Sequence, residues 1–506
     1  MASLGDVHFV DTTFRDGNAS LWAGGLPNSQ ILPYIEDLDG VGFQSFELVA
    51  TAFFKKMIRE MKEDPWYRIR QVSRLAQYTK VRAIVGRSAS SFEFMPASIS
   101  FLYLERLFAN GIQEVRISDS SNTAAYWRQR VSDCKKIGLG TVLNIIYTIS
   151  PVHSNAYFER KIKEAHAVGP DRICFKDPGG LLTPDSTREL CALFLKHTNL
   201  PIEFHTHCNT GLGPLCAMAA VKAGVKIINT AIPPLANGSS NPSLLNLLDN
   251  VESLGYTTRV DRSRVQKISD GLFKYAKDNQ LNVGVPLEYR ESHFTHQVPG
   301  GMISNLRHQL SKMNMIDKLD EVLQEIVQVR KDFGYPIMVT PYSQFVGVQA
   351  TLNVMSGARY KELSDQTIQY AIGLWGESES AAFDPNVKDI ILSSSKAKKL
   401  KDWTPPELSL AQIREKFGGS SVSDDELILR YLGGNEQFEL LEKNSRDYSP
   451  SASSKLNASP ASSSASLNEQ RAGKAQILAL IQTLSQKSDI GKVSITSPDL
   501  NLYLSH

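Results

Sequence analysis

The segment PIEFHTHCNTGLG, residues 201–213, carries the clearest structural pattern in this 506-residue chain. An apolar run, 201–204, closes on His205-Thr206-His207 and is followed by a turn of small residues. Alternate residues of a β-strand point to the same side, so the rings of His205 and His207 are predicted to face one point. Two imidazoles at that spacing suit a metal ion. The same pair also occurs as plain polar residues at a strand end, so the rest of the chain must decide.

Runs of the same kind recur through the first half of the chain and predict the fold. Short apolar, β-branched-rich segments lie at 8–16, 43–50, 81–88, 114–119, 141–148, 171–177, 202–207 and 226–231. Segments with helical periodicity lie between them, for example 97–110, 155–168 and 185–198. Eight strands alternating with helices in about 250 residues predict an α/β fold, a parallel (β/α)8 TIM barrel. The alternative, a doubly wound open sheet, more often has fewer strands and a glycine-rich turn after the first, where this chain has Arg15-Asp16-Gly17-Asn18.

Polar residues stand at the predicted C-terminal ends of four strands, which form the catalytic face of such barrels. Arg15 and Asp16 end the first strand, Arg87 the third, Lys176 the sixth, and His205 and His207 the seventh. We therefore expect these side chains to converge at one mouth.

Lys176 is an unusual neighbour for a metal, because an ammonium group repels a cation and has no lone pair to offer. The residue follows the apolar run 173–175, where burial favours the neutral amine. A neutral amine captures CO2 as a carbamate, which resembles a carboxylate ligand. With Asp16, His205 and His207 it would complete a site of two nitrogens and two oxygens, suited to Zn²⁺, Mn²⁺ or Co²⁺.

The composition narrows the class of protein. The net charge of +2 gives no reason to expect nucleic acid as a partner. No stretch approaches the roughly 18 uninterrupted apolar residues of a membrane span. Five scattered cysteines without a CxxC motif, and an N-terminus without an apolar signal core, predict a cytoplasmic protein with reduced thiols.

The pattern divides the chain into four parts. Residues 1–256 are the predicted barrel, and 257–445 turn mostly helical, with 322–331 and 343–355 as examples. The Ser/Ala/Pro-rich segment 446–468 is predicted to be a flexible linker. Residues 469–506 are predicted to form a terminal amphipathic helix and tail, whose apolar face either covers its own domain or contacts a second copy or a partner.

Several ordered motifs together resemble the carboxyltransferase domain of biotin-dependent enzymes. They are DTTFRD at 11–16, FKDPGGLL at 175–182, HTH at 205–207, QVPGG at 297–301 and TPYSQFVGVQA at 340–350. The family includes pyruvate carboxylase, the oxaloacetate decarboxylase α subunit and the large metal-binding subunit of transcarboxylase. The resemblance covers roughly residues 5–400 and implies a TIM barrel followed by a helical domain that completes an active-site funnel.

The resemblance also implies roles for individual residues. Asp16, carbamylated Lys176, His205 and His207 would be the metal ligands, and Arg15 would bind the carboxylate or enolate of a keto acid beside the metal. Ser304 stands where the family has a threonine whose hydroxyl shuttles a proton to or from biotin; the alternative for such a serine is a helix N-cap.

The implied reaction moves a carboxyl group between carboxybiotin and a small keto acid of the pyruvate or oxaloacetate type, through a metal-stabilised enolate. Because the chain has no Ala-Met-Lys-Met motif and no ATP-grasp domain, biotin would arrive on a separate biotin carboxyl carrier protein or domain. A biotin carboxylase subunit is a further expected partner, and the chain itself is expected to be a homo-oligomer, a dimer.

Departures from the family cluster near the substrate. Ala19 stands where the family has a glutamine that contacts substrate, so the substrate-binding candidates are Arg15, Arg87 and Ala19. Gly86 precedes Arg87, which shifts that match by one residue, and Cys208 replaces an acid after the second histidine. These changes bear on which acid is bound.

Two other classes of function compete with this one. A biotin-independent aldol lyase or Claisen-type synthase acting on an acyl-CoA is suggested by Arg15-Asp16-Gly17 and by Asn241, which lies about where those enzymes place a metal-binding asparagine. Lys176 argues against this class, and a turn-forming role for Asn241 is favoured. A non-catalytic scaffold ranks lowest, because Asp16, Lys176, His205 and His207 are all present.

Overall fold

The computed structural model describes residues 4–87, 93–312, 314–376, 382–400, 403–447, 492–497 and 500–505. Eight parallel strands close into a barrel in chain order, and the first pairs with both the second and the eighth. The strands are β1 His8–Asp11, β2 Ser45–Ala50, β3 Lys80–Val85, β4 Glu114–Ile117, β5 Gly140–Ile146, β6 Arg172–Asp177, β7 Ile202–Thr206 and β8 Ile227–Thr230. The predicted TIM barrel is confirmed and the open sheet is excluded.

Helices surround the barrel and alternate with its strands. They are α1 Asn18–Trp22, α2 Asn28–Ile31, α3 Ile35–Asp39, α4 Thr51–Lys56, α5 Pro65–Leu75, α6 Ala97–Ala109, α7 Ala124–Ile137, α8 Asn155–Val168, α9 Pro184–His197, α10 Gly213–Lys222 and α11 Leu244–Ser253. Short 3-10 or π turns cover Thr13–Gly17, Leu32–Tyr34 and Met57–Met61. Local caps explain the sharp ends of α8, because the Ser154 hydroxyl accepts from the backbone N–H of Tyr157 and Gly169 ends the helix with a φ of +71°.

The first strand is shorter than predicted. It ends at Asp11 rather than at residue 16, and Thr13–Gly17 forms a tight helical turn. The carboxylate of Asp11 accepts from both the backbone N–H and the hydroxyl of Thr13, which turns the chain away from the sheet. Gly17 fits because a Cβ there would lie 2.5 Å from the carbonyl oxygen of Leu235. The turn holds Arg15 and Asp16 just above the strand end.

Beyond the barrel the chain is helical, as predicted. The helices are α12 Arg262–Asp278, α13 Ser292–His296, α14 Gly300–Lys312, α15 Leu319–Asp332, α16 Tyr342–Ser356, α17 Asp365–Ala371, α18 Pro385–Ser393, α19 Ser395–Leu400, α20 Leu410–Lys416, α21 Asp424–Gly433 and α22 Asn435–Asp447, with a 3-10 turn at Ile316–Lys318. Phe333 is fully buried among Phe345, Tyr370 and Phe383 in the core of this part.

The barrel and the helical part pack into one compact unit, Met1–Phe438. One link is Arg330 on α15, which donates to the Thr148 hydroxyl and the Ile149 carbonyl just after β5. The change at residue 257 is therefore a change of secondary structure within one unit.

A second unit covers Glu439–His506. Its described parts are the end of α22, which continues to Asp447, and an antiparallel hairpin of β9 Lys492–Ser497 and β10 Leu500–Ser505. Apart from residues 446–447, the predicted linker lies outside the described residues, as does the predicted amphipathic helix that follows it. Across the described ranges, no helix has both the length and the apolar character needed to cross a membrane.

Candidate active site

Three of the predicted metal ligands meet at the mouth of the barrel. The Nε2 atoms of His205 and His207 lie 3.1 and 3.3 Å from the same oxygen, Oδ2 of Asp16. All three residues are buried, and together they form a group able to hold a metal ion. The turn after β1 supplies Asp16, while the end of β7 supplies His205 and, one residue beyond the strand, His207. The strand-end geometry predicted from the HxH spacing is thus present.

The hydrogen bonds on the far side of each ring fit a metal centre. Nδ1 of His205 lies 3.0 Å from Oδ1 of Asn229, and Nδ1 of His207 lies 2.6 Å from the carbonyl oxygen of Ser239. Both oxygens can accept a ring proton from Nδ1, and a ring protonated there keeps the lone pair of Nε2 for a metal. In that tautomer the two Nε2 atoms and the carboxylate oxygen form the donor set of zinc and related metals.

Charges around the group keep it in ligand form. Burial, opposed by the hydrogen bond to Asp16, lowers the pKa of His205 to about 3, so its ring is neutral at pH 7. Burial works against the Asp16 carboxylate, but Arg15 and then His207 hold the pKa of that carboxyl well below its ordinary value. Asp16 is therefore ionised.

Lys176 lies near the end of the neighbouring strand, β6. It stands opposite His205 in the β6–β7 register and is buried. Burial, reinforced by the charge of Arg15, lowers the pKa of Lys176 to about 8, although Asp16 opposes the effect. Burial therefore shifts Lys176 toward the neutral amine expected from the apolar run 173–175, although the ammonium form still predominates at pH 7.

Arg15 is fixed by two carboxylates. Its Nε donates to Glu47 over 2.7 Å, one of its terminal nitrogens also donates to Glu47, and that nitrogen lies 2.8 Å from Oδ2 of Asp16. Glu47 lies in the middle of β2 and is fully buried. Burial by itself raises the pKa of Glu47. The opposite effect of three nearby cations is larger and lowers the pKa to about 2; these are Arg116, Arg15 and Arg82. The guanidinium of Arg15 is thus held rigidly beside the predicted metal position.

The sequence did not identify the charged layer beneath the site. Six fully or nearly fully buried side chains inside the barrel form a continuous ion network: Glu47, Arg82, Glu114, Arg116, Arg172 and Glu203. The signal that could have found such residues is a charged side chain within an otherwise apolar strand, in some strands on the same face as a predicted site residue. Glu203 and His205, two apart on β7, are an example.

Family models match nearly all of the described chain. One described as HMGL-like matches residues 6–271, and one described as a conserved carboxylase domain matches residues 294–473. A pyruvate carboxylase subunit of Methanocaldococcus jannaschii is 34% identical over 429 residues, which cover 84% of this chain and 76% of that protein. The chain belongs to the family of biotin-dependent carboxyltransferases. It is an enzyme subunit of the pyruvate carboxylase type.

Other relatives are named for different carboxylation reactions. The methylmalonyl-CoA carboxyltransferase 5S subunit of Propionibacterium freudenreichii is 30% identical over 410 residues, covering 79% of this chain and 80% of that one. The 2-oxoglutarate carboxylase large subunit of Hydrogenobacter thermophilus is 33% identical over 378 residues, covering 73% of this chain and 57% of that one. The solved carboxyl transferase domain of Rhizobium etli pyruvate carboxylase shares the fold, with a TM-score of 0.77 at 22% identity over 88% of this chain and 78% of that chain.

Three other predicted site residues, Arg87, Ala19 and Ser304, are not part of the group formed by Asp16, His205 and His207. Arg87 lies two residues beyond the end of β3, and its guanidinium donates to both carboxylate oxygens of Asp119, at 2.7 and 3.0 Å. Ala19 lies on α1, half-buried, in the helix that follows Asp16. Ser304 lies on α14, but its side chain is outside the described part of the molecule.

Asn241 and Cys208 are both buried beside the histidines. The amide nitrogen of Asn241 donates to the carbonyl of Thr206 over 2.8 Å and lies 3.3 Å from Nε2 of His205. Its oxygen accepts from the Thr12 hydroxyl over 2.6 Å. Asn241 therefore presents its amide nitrogen to His205. An amide nitrogen that carries protons has no lone pair for a metal, so Asn241 is not placed as a metal ligand. Burial raises the pKa of the Cys208 thiol well above its ordinary value, so it stays protonated.

Proposed function

We propose that this carboxyltransferase moves a carboxyl group between biotin carried on a partner protein and a small 2-oxo acid of the pyruvate or oxaloacetate type. The observation that carries the proposal is the buried convergence of two imidazoles and one carboxylate, with Arg15 held beside them. The relatives support it, because each is by name a carboxylase or a carboxyltransferase and two of them are named for a 2-oxo acid.

In this proposal Asp16, His205, His207 and a carbamate on Lys176 hold a divalent metal ion. The first three converge at the mouth, and Lys176 stands opposite His205 in the strand register. The pKa of Lys176, about 8, supplies the neutral amine that a carbamate requires. When bound, such an ion supplies Lewis-acid stabilisation of charge on the oxygen of a 2-oxo acid.

Arg15 orients the acid. Its guanidinium is buried, and the contacts with Glu47 and Asp16 prevent it from rotating away. A fixed cation in a buried site is a strong partner for the substrate's carboxylate and for negative charge that develops during enolisation.

The acceptor belongs to the 2-oxo acids. Ala19 offers no side-chain hydrogen bond to the substrate, so selection among acids of this class falls on shape and on the two arginines, Arg15 and Arg87. Ser304, on the helix that begins at Gly300, provides the hydroxyl that exchanges a proton with biotin. Biotin comes on a separate carrier protein or domain, a biotin carboxylase subunit charges it, and the chain acts as a homodimer in the cytoplasm.

Metal analysis of the full chain tests this proposal. Protein prepared without chelator is expected to contain about one Zn²⁺, Mn²⁺ or Co²⁺ per chain, and His207→Ala is expected to contain much less. Absence of any divalent metal from the wild-type chain would overturn the proposal.

A further inference from the structure

His205 and His207 differ in what fixes their ring protons. The Nδ1 partner of His207 is a backbone carbonyl, that of Ser239, which no side-chain change removes. The Nδ1 partner of His205 is a side chain, Oδ1 of Asn229 on β8. Asn229 is buried and its position is not part of any motif that resembles the family.

A second group competes for the same nitrogen. One terminal nitrogen of Arg116 lies 3.1 Å from Nδ1 of His205. A guanidinium can only donate, so a hydrogen bond from Arg116 requires the lone pair to be on Nδ1. The ring proton would then sit on Nε2, pointing at Asp16 Oδ2 over 3.1 Å, and the lone pair needed for metal would be lost.

The other hydrogen bonds of Asn229 fix the orientation of its amide. Its amide nitrogen donates to Oε2 of Glu203 over 3.3 Å, and its oxygen accepts from Arg116. These two bonds leave one orientation for the amide, with Oδ1 toward His205. The Arg116 nitrogen nearest the ring also lies 2.9 Å from Oε1 of Glu47, an ion pair that gives it a second partner besides Nδ1 of His205.

We propose that Asn229 is a positioning residue of the metal centre, which sets the His205 tautomer by accepting the Nδ1 proton and so presents the Nε2 lone pair to the metal. Arg116 and Glu203 act by orienting Asn229. This inference rests on the proposed metal site. It extends the site by one specific side chain that touches neither metal nor substrate.

The test is a titration of the full, chelator-treated chain with Co²⁺. Binding is measured from the visible absorption bands of the bound ion. Asn229→Leu has a similar shape but no acceptor, so Arg116 takes over Nδ1, and Co²⁺ binding is expected to weaken about 10- to 100-fold. Asn229→Asp keeps an acceptor oxygen and is expected to bind Co²⁺ within a few-fold of wild type, with the wild-type band shape.

A matched control is available inside the same barrel. Asn144 on β5 is buried, and neither its amide oxygen nor its nitrogen has a hydrogen-bond partner among the described residues. Asn144→Leu is expected to leave Co²⁺ binding unchanged, and thermal melting of all variants shows whether the barrel is folded.

The outcomes separate this inference from the metal site itself. If the wild-type chain shows no Co²⁺ absorption bands, both the proposed metal site and the role of Asn229 are refuted. If wild type binds Co²⁺ and Asn229→Leu binds it equally, only the inference falls. Equal weakening in Asn229→Leu and Asn229→Asp would also overturn it, because the acceptor oxygen would then not be the determinant.

Discussion

We expect Lys176 to react with CO2, because a larger fraction of its side chain is the neutral amine at neutral pH than in an ordinary lysine. With a pKa of about 8, roughly a tenth of its side chain is neutral at pH 7, against about 0.03% for a lysine of ordinary pKa near 10.5. The reactive form is enriched about 300-fold by burial and by the charge of Arg15. At fixed dissolved CO2, carbamate formation on Lys176 should therefore rise between pH 7 and 9 and then level off.

The assay is carbon-13 NMR of the full, chelator-treated chain equilibrated with labelled bicarbonate. Wild type is expected to show a carbamate resonance that Lys176→Ala lacks. Lys274 is a matched control because it is exposed on α12 and its hydrogen bond to Asp278 raises its pKa, so Lys274→Ala should keep the resonance. A resonance that survives in Lys176→Ala, or one that grows only above pH 10, would refute the role given to burial and Arg15.

Three further changes have defined consequences. Gly17→Ala places a Cβ 2.5 Å from the carbonyl oxygen of Leu235; we expect at least tenfold weaker metal binding by titration, and unchanged affinity would count against the turn as the support of the site. Arg15→Lys loses the pair of hydrogen bonds that the guanidinium donates to Oε2 of Glu47, so the KM for a 2-oxo acid should rise in steady-state kinetics; an unaltered KM would contradict this. Phe333→Ala leaves a cavity in the helical core, so the free energy of unfolding measured with urea should fall by about 3–5 kcal/mol while the metal content stays the same. Loss of metal in this variant would contradict the independence of this core from the site.

The barrel was predictable because its strands are apolar and evenly spaced. All eight predicted strands are present, and the predicted helices 97–110, 155–168 and 185–198 match the observed ones to within one residue at each end. Strand one was misjudged at its end. The run up to Asp16 reads as continuous strand, but Asp11 and Thr13 hydrogen-bond locally and turn the chain at that point.

His205 and His207 could be placed from the sequence because they lie at the end of β7, and Asp16 because the turn after β1 lies at the same mouth of the barrel. The buried polar residues that contact these ligands could not be predicted in the same way. Glu47 and Arg116 look like interruptions of apolar strands until the closed barrel brings them together. Asn229 acquires a role only when β7 pairs with β8, since 24 residues separate it from His205. Such a contact follows from closure and register rather than from local pattern.

Biotin-dependent decarboxylation of a β-carboxylated 2-oxo acid tests the central claim most directly. The full chain is incubated with oxaloacetate or with oxalosuccinate, the carboxylated forms of pyruvate and 2-oxoglutarate, with and without free biotin. The wild-type chain is expected to release CO2 from one of these acids faster when biotin is present, and His207→Ala is expected to lose that stimulation. Equal biotin-stimulated rates in wild type and His207→Ala, or no stimulation with either acid, would contradict carboxyl transfer at the Asp16–His205–His207 centre.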